Sequence, residues 1–261
     1  MTAVQIDSET IRQAVNRLLD AARVSAPPVD LIRLAKLQGI TSIRHRKMKR
    51  TLGMVKEGQD GSLTMLLNSR QPLRERFTMA HEIAHTIVDR MGDKPATVVL
   101  AARTPRRGTA LERLCDQIAA ELLMPYEMFT QSMQGEGVSL NTVERLARTY
   151  EASLQSTALR IGELSDQPAQ VVCWEREQKL GLRVRWKSGQ PLLTAKGATA
   201  YRSLSNETSP IARAYASKQR ETGHETPWPD QPWCVYHCEA QGFLRGSARF
   251  VLSVVRPATL N

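Results

Sequence analysis

The sequence has no long hydrophobic run and few cysteines. No apolar stretch approaches the roughly 20 residues that a membrane-spanning helix needs. The opening residues 1–7 lack the basic and then apolar pattern of a secretory signal, so we expect a cytoplasmic protein with no membrane partner. Four cysteines in 261 residues are too few for a disulfide scaffold, and we expect reduced thiols. These absences exclude the membrane-spanning and the disulfide-rich secreted classes.

Aromatic residues are also scarce, at 5%, but 41% of the residues are hydrophobic, which is enough for a buried core and excludes extended disorder. The net charge of +10 raises the question of a nucleic-acid partner. Residues 1–165 and 166–261 share the excess equally. A local cluster of five Lys and Arg within residues 44–50 predicts either a solvated strand edge or loop, or a contact to phosphate or an acidic partner.

A short motif carries the strongest chemical signal. Residues 81–85 read HEIAH, an H-E-x-x-H match inside a helix predicted over residues 72–90. Histidines four residues apart lie one helical turn apart on one face, so His81 and His85 can both bind one Zn²⁺ at about 2.0–2.1 Å. Composition alone gives roughly 0.006 chance matches in a chain of this length, which makes coincidence a poor explanation.

A catalytic zinc needs a third protein ligand and keeps one position for water. Glu112 begins another amphipathic helical pattern 27 residues after His85, and Asp116 shares its face four residues later. One interpretation makes Glu112 the third ligand, with Asp116 accepting the free N–H of a ligand histidine. The other makes both of them ordinary charges on a solvated helix face. The spacing alone leaves the two open.

Two segments resemble the signatures of the ImmA/IrrE family of metallopeptidases. Residues 76–85 (RFTMAHEIAH) contain the family's R-F-T-x-A lead into H-E-x-x-H in full. Residues 112–125 (ERLCDQIAAELLMP) are similar to the family's E-x-x-A-N-x-F-A-A-E-L-L-M-P pattern and depart from it at Cys115, Asp116 and Ile118.

The resemblance implies a role for each residue of the site. His81, His85 and Glu112 would bind the metal, and Glu82 would be the catalytic acid/base. Asp116 replaces the usual asparagine and still offers an acceptor to a ligand histidine. In the reaction that we expect, the metal lowers the pKa of its water toward about 7, and Glu82 takes the proton as that water attacks a peptide carbonyl.

The resemblance covers about residues 8–165, and with the hydrophobic patterns it predicts an α+β fold. We expect a zincin-like peptidase domain with a small β-hairpin or sheet and helices at residues 1–138, and a helix-turn-helix-like helix pair at 139–165. A smaller β-rich regulatory or recognition domain should follow at 166–261.

The substrate is also a matter of resemblance. The family implies a site-specific cytoplasmic protease that cuts a helix-turn-helix transcriptional repressor in stress or mobile-element regulation. A rival hypothesis is a DNA-binding regulatory protein that uses residues 143–164. That segment has only Arg145, Arg148 and Arg160 as basic groups, so nucleic-acid contact is not favoured.

Two features of the expected chemistry have no firm assignment. The tetrahedral oxyanion needs a further donor, for which Tyr126, His224 and His237 are candidates without a geometric argument. Some residues of the last segment are also candidates for a second metal site, although their spacing is not that of a standard zinc pair and buried thiols explain them more simply. They are Cys173, Cys234, His237 and Cys238.

Overall fold

The structure is a computed structural model. It describes residues 7–49, 51–91, 110–177, 181–190, 192, 201–202, 208–226, 235–245 and 248–258. Cys234, a candidate ligand of the second metal site, and Arg50 of the basic cluster lie outside these residues. The chain divides into two compact units, one formed by residues 1–132 with 148–152 and the other by residues 133–147 with 153–261.

The first unit combines helices with a small sheet. Its elements are α1 (Ser8–Ala21), α2 (Leu31–Leu37), β1 (Ile40–Arg46), β2 (Gly53–Glu57), β3 (Leu63–Asn68), a 3₁₀ turn (Pro72–Arg74), α3 (Glu75–Met91), α4 (Ala110–Leu123) and α5 (Tyr126–Met133). Helix α2 is closed by Gly39, whose φ of +83° is the left-handed conformation that glycine adopts without strain. Helix α3 packs against α4 and against strands β2 and β3.

The small sheet has the strand order β1-β3-β2. Strands β2 and β3 are antiparallel and form the predicted hairpin, in which Val55 pairs with Met65. Strand β1 runs parallel to β3, a pairing that the sequence pattern does not indicate. Because β1 is an edge strand, Arg44 and Arg46 of the basic cluster lie exposed on a sheet edge.

The second unit is built on a larger sheet. Its elements are β4 (Gln170–Glu177), β5 (Gly181–Gly189), β6 (Tyr201–Arg202), α8 (Pro210–Ser217), β7 (Arg220–Glu225), β8 (Tyr236–Arg245) and β9 (Ala248–Pro257). The strands are antiparallel in the order β6-β5-β4-β9-β8-β7. Trp174, Val251 and Cys238 on one face of the sheet share a core with Ile211 and Tyr215 of α8.

Helices α6 (Leu140–Thr149) and α7 (Leu154–Leu164) are the predicted helix pair. The turn between them belongs to the first unit, because Tyr150 is fully buried with its ring centroid 5.1 Å from that of Phe129. Helix α7 packs on β5, where Gly162 lies so close to Ser188 that a Cβ would stand 2.5 Å from the hydroxyl oxygen. The pair is thus shared between the compact units.

The mixture of helices with two sheets confirms an α+β protein. The zincin-like arrangement and the three-part functional division at residues 1–138, 139–165 and 166–261 stay predictions. Among the helices that the structure describes, none has the length and the apolar character needed to cross a membrane.

Candidate metal centre

Helices α3 and α4 bring three ligand-type side chains to one point. His81 and His85 lie one turn apart on α3, with their Nε2 atoms 3.2 Å from each other. Glu112, in the first turn of α4, places Oε2 at 3.3 Å from Nε2 of His81 and Oε1 at 3.6 Å from Nε2 of His85. All three ligand atoms lie within 4.8 Å of one another.

These distances can be compared with the geometry of zinc. Metal–ligand bonds of about 2.0–2.1 Å in a tetrahedral arrangement separate neighbouring ligand atoms by about 3.3 Å. The Nε2–Nε2 separation of 3.2 Å and the distance of 3.3 Å from Nε2 of His81 to Oε2 of Glu112 fit that value, and Nε2 of His85 lies 3.6 Å from the other carboxylate oxygen, Oε1. Two imidazole nitrogens and one carboxylate oxygen are also a donor set of catalytic zinc sites, which leave one position open. The three side chains could therefore hold one metal ion of this kind.

Both histidines turn their other ring nitrogen toward α4. Nδ1 of His81 lies 2.9 Å from Oδ1 of Asp116, and a carboxylate there can only accept, so His81 carries a proton on Nδ1. Nδ1 of His85 lies 3.3 Å from Sγ of Cys115. Consecutive residues of α4 thus contact the two histidines, which keeps both Nε2 atoms directed at Glu112.

The electrostatics of the site favour a positive charge. Burial has the largest single effect on the pKa of His81 and lowers it, but the hydrogen bond to Asp116 and the charges of Glu82, Asp116 and Glu112 together raise that pKa above its ordinary value. The same carboxylates that stabilise a protonated imidazole also attract a metal cation. A proton and a metal ion therefore compete for this position.

Glu82 follows His81 on α3 and is buried, with 6% of its surface exposed. Gly53, the first residue of strand β2, packs against the side chain of Glu82. A Cβ on Gly53 would lie 3.0 Å from Oε1 of Glu82 and 2.5 Å from Cγ2 of Thr78, so a glycine is needed for this approach. The sequence does not indicate the approach at Gly53 or the Cys115 contact, because a single glycine or cysteine gives no signal of its own.

The candidates for the oxyanion donor are spread over the chain. Tyr126 begins α5, where its N–H donates to Glu121 (2.7 Å) and its ring lies 4.0 Å from the guanidinium carbon of Arg12. His224 and His237 face each other in the register of β7 and β8, in the second unit. The identity of the donor stays a prediction.

The second metal site gains no support from the described residues. His81, His85 and Glu112 are the candidate ligand cluster found among them. His237 and Cys238 are neighbours in β8, so their side chains point to opposite faces of the sheet. Burial raises the pKa of Cys173 to about 12, so this thiol stays protonated at neutral pH.

Comparisons with known proteins agree with this site. Residues 35–162 match the family model Peptidase_M78, described as the IrrE N-terminal-like domain. This segment contains His81, Glu82, His85, Glu112 and Asp116, and the match confirms the resemblance to the ImmA/IrrE family of metallopeptidases.

The chain is similar to curated relatives and to solved structures. The radiation response metalloprotease IrrE of Deinococcus radiodurans is 29% identical over 146 residues, which cover 54% of this chain and 44% of the relative. The protein of the same name from Deinococcus deserti is 31% identical over 105 residues, covering 40% and 37%. The chain thus spans less than half the length of either relative.

One solved structure of similar fold is that of a Mycobacterium tuberculosis transcriptional regulator, with a TM-score of 0.61 and 16% sequence identity. The match covers 95% of this chain and 87% of that one. At this level of identity the likeness concerns the fold.

Proposed function

We propose that the protein is a zinc-dependent metalloprotease whose metal is held by His81, His85 and Glu112, with Glu82 as the acid/base. The observation that carries this proposal is the approach of the three ligand atoms to within 4.8 Å beside a buried glutamate. The family supports it, since the curated relatives are named metalloproteases.

The chain's own residues would divide the work of peptide hydrolysis. A bound zinc ion would polarise the peptide carbonyl and lower the pKa of a water molecule. Glu82 would accept the proton of the attacking water on its carboxylate and later donate it to the leaving amine. Asp116 accepts the Nδ1–H of His81 and so keeps Nε2 of that ring free to bind.

We propose further that the enzyme is a site-specific endopeptidase acting on a cytoplasmic helix-turn-helix repressor, in stress or mobile-element regulation. The relatives' names refer to a radiation response, and the protein of similar fold is named a transcriptional regulator. The second unit would serve recognition or regulation.

The rival function, DNA binding through residues 143–164, has less support. Arg145 pairs with Glu136 at 2.6 Å. Arg160 is buried and pairs with Glu163 at 3.2 Å. Two of the three arginines are thus engaged within the protein, and a DNA-binding helix needs exposed cations for phosphate contacts.

The test combines cleavage with metal analysis. Zinc-loaded protein is incubated with helix-turn-helix repressors encoded near its gene, and the products are identified by mass spectrometry. We expect one discrete cut that a chelator stops. Glu82→Gln should keep the zinc and slow cleavage by about 10²–10⁴-fold. Glu127→Gln, an exposed glutamate on α5, is the matched control and should cleave normally.

Two results would contradict the proposal. Cleavage by Glu82→Gln at the wild-type rate would remove Glu82 from the mechanism. Digestion of casein at a rate comparable with that of the repressor would contradict site specificity while leaving the metalloprotease assignment intact.

A further inference from the structure

Cys115 contacts a metal-ligand candidate from inside the protein. Its Sγ atom lies 3.3 Å from Nδ1 of His85, and its side chain is fully buried. We infer that the Cys115 thiol is a positioning residue that accepts a hydrogen bond from Nδ1–H of His85 and holds that imidazole ready for zinc. This inference rests on the proposed zinc site.

The protonation of His85 follows from the direction of its ring. Nε2 faces the cluster, at 3.2 Å from Nε2 of His81 and 3.6 Å from Oε1 of Glu112. A nitrogen that binds a metal must be unprotonated, so the neutral ring carries its proton on Nδ1. That N–H is directed at the Cys115 sulfur, which is a weak acceptor but lies within reach in a buried place.

The sulfur itself is on the wrong side of the ring to bind the same metal. Nδ1 and Nε2 are separated by the ring carbon between them and point in diverging directions. The metal would lie beside Nε2, between His81, His85 and Glu112. An atom beside Nδ1 of His85 therefore lies on the far side of the ring from the metal position. Cys115 can act on the metal only through His85.

Asp116, the next residue in α4, makes the same kind of contact to the other histidine, with a stronger acceptor. Asp116 accepts from Nδ1 of His81 at 2.9 Å, so α4 offers one acceptor to each ligand histidine from consecutive positions. A charged carboxylate binds an N–H more strongly than a neutral thiol does. The effect of Cys115 on metal affinity should therefore be smaller than that of Asp116, although it acts through the same kind of contact.

The family pattern suggests which residue to compare with Cys115. It has alanine where this chain has Cys115, and alanine offers no acceptor. Substitution of Cys115 by alanine thus restores the family residue without enlarging the side chain. Serine offers an acceptor on a side chain of similar size, and valine is apolar and fills the space.

The experiment measures the zinc dissociation constant of the full chain by competition with a chromogenic chelator. We expect Cys115→Ala and Cys115→Val to raise the Kd by about tenfold, the lower end of the effect for lost outer partners of a ligand. Cys115→Ser should stay within about threefold of the wild type, because its hydroxyl accepts from the same N–H.

A purely structural role for Cys115 predicts the opposite order. Alanine and valine keep an apolar group in a buried place, whereas serine buries a hydroxyl, so packing alone would make serine the worst replacement. Thermal unfolding of the zinc-free variants reports that packing effect separately. Cys173→Ala and Cys173→Ser, at a buried thiol in the second unit, are the matched controls and should leave the Kd unchanged.

The outcomes separate this inference from the proposed function. Wild-type affinity in Cys115→Ala and Cys115→Val, or a serine variant that binds no better than the alanine variant, overturns the role of Cys115 and leaves the zinc site standing. A wild-type protein that binds no zinc, or a Glu112→Ala variant with unchanged Kd, overturns the site itself and the inference with it.

Discussion

The two units use histidine and cysteine in different ways. In the first unit, His81 and His85 are four residues apart on a helix, whose period brings both rings to the same side. In the second unit, His237 and Cys238 are consecutive in a strand, whose alternation sends them to opposite faces. The same residue types form a candidate site in one unit and separate contacts in the other, so the backbone period decides the difference.

The surroundings of these side chains differ as well. The histidines of the first unit lie among the charges of Glu82, Glu112 and Asp116, which favour a cation. In the second unit, Cys238 belongs to an apolar core together with residues of β4 and α8. The histidines of the candidate site thus lie among charges, whereas Cys238 of the second unit packs in an apolar core.

The largest effect is expected when a histidine of the first unit is replaced by alanine and compared with the same replacement in the second unit. His81→Ala or His85→Ala should reduce the zinc content from about one equivalent to nearly none, because a catalytic site has only three protein ligands. His237→Ala, in the second unit, should keep full zinc. Zinc is measured by atomic absorption after dialysis, with circular dichroism to check folding. Full occupancy in His81→Ala would remove this helix from the metal site.

A second test changes the approach of β2 to the site and leaves the proposed ligands in place. Gly53→Ala puts a Cβ at 2.5 Å from Cγ2 of Thr78 and 3.0 Å from Oε1 of Glu82, so one of these groups must move. We expect kcat to fall by about 10- to 100-fold, the cost of misplacing a catalytic group by about 1 Å, while zinc is retained.

Removing the methyl group of Thr78 tests whether this loss of kcat comes from the close contact. Thr78→Ser removes the atom that would lie at 2.5 Å, so the double variant Gly53→Ala with Thr78→Ser should recover part of the lost kcat. An unchanged kcat in Gly53→Ala alone would show that the position of Glu82 does not depend on glycine here.

Replacement of Asp116 should weaken zinc binding without abolishing it. Asp116→Ala removes the acceptor of His81 and should raise the zinc Kd by about 30-fold, more than the loss of the Cys115 contact does. Asp116→Asn restores the usual family residue, which still accepts the Nδ1–H, and should lie between the alanine variant and the wild type. Asp20→Asn, an exposed acid on α1, controls for loss of charge. Equal Kd values for Asp116→Ala and the wild type would leave the ring of His81 oriented by other contacts.

Much of this site could be predicted from the sequence because its signals are local. The i, i+4 spacing of His81 and His85 needs only a helix, and α3 covers residues 75–91 where one was predicted over 72–90. The start of an amphipathic pattern makes Glu112 a candidate, the family resemblance implies that it is a ligand, and α4 begins at residue 110. The hairpin of β2 and β3 also follows from strand patterns on either side of a short turn.

The remaining features depend on contacts between distant residues. Strand β1 pairs with β3 in parallel, and such a pairing has no turn to mark it in the sequence. The roles of Gly53 and Cys115 arise only when β2 and α4 come against α3. In the second unit, β7 has the polar sequence Arg220–Glu225, which lacks the apolar alternation of a predicted strand.

Replacement of the buried Cys173 in the second unit should leave zinc binding unchanged and should alter only the stability of the fold. Burial raises the pKa of Cys173 from an ordinary value of 9.0 to about 12, so the folded protein keeps the thiol protonated where the unfolded chain ionises it. Its contribution to stability is therefore complete below pH 9 and is lost as the pH rises from 9 toward 12. Urea denaturation of the wild type and Cys173→Ala should show a constant difference in unfolding free energy below pH 9 and a shrinking one above it. A difference that stays constant through pH 11 would contradict a desolvated thiol, and a changed zinc Kd would contradict the division of chemistry and packing between the two units.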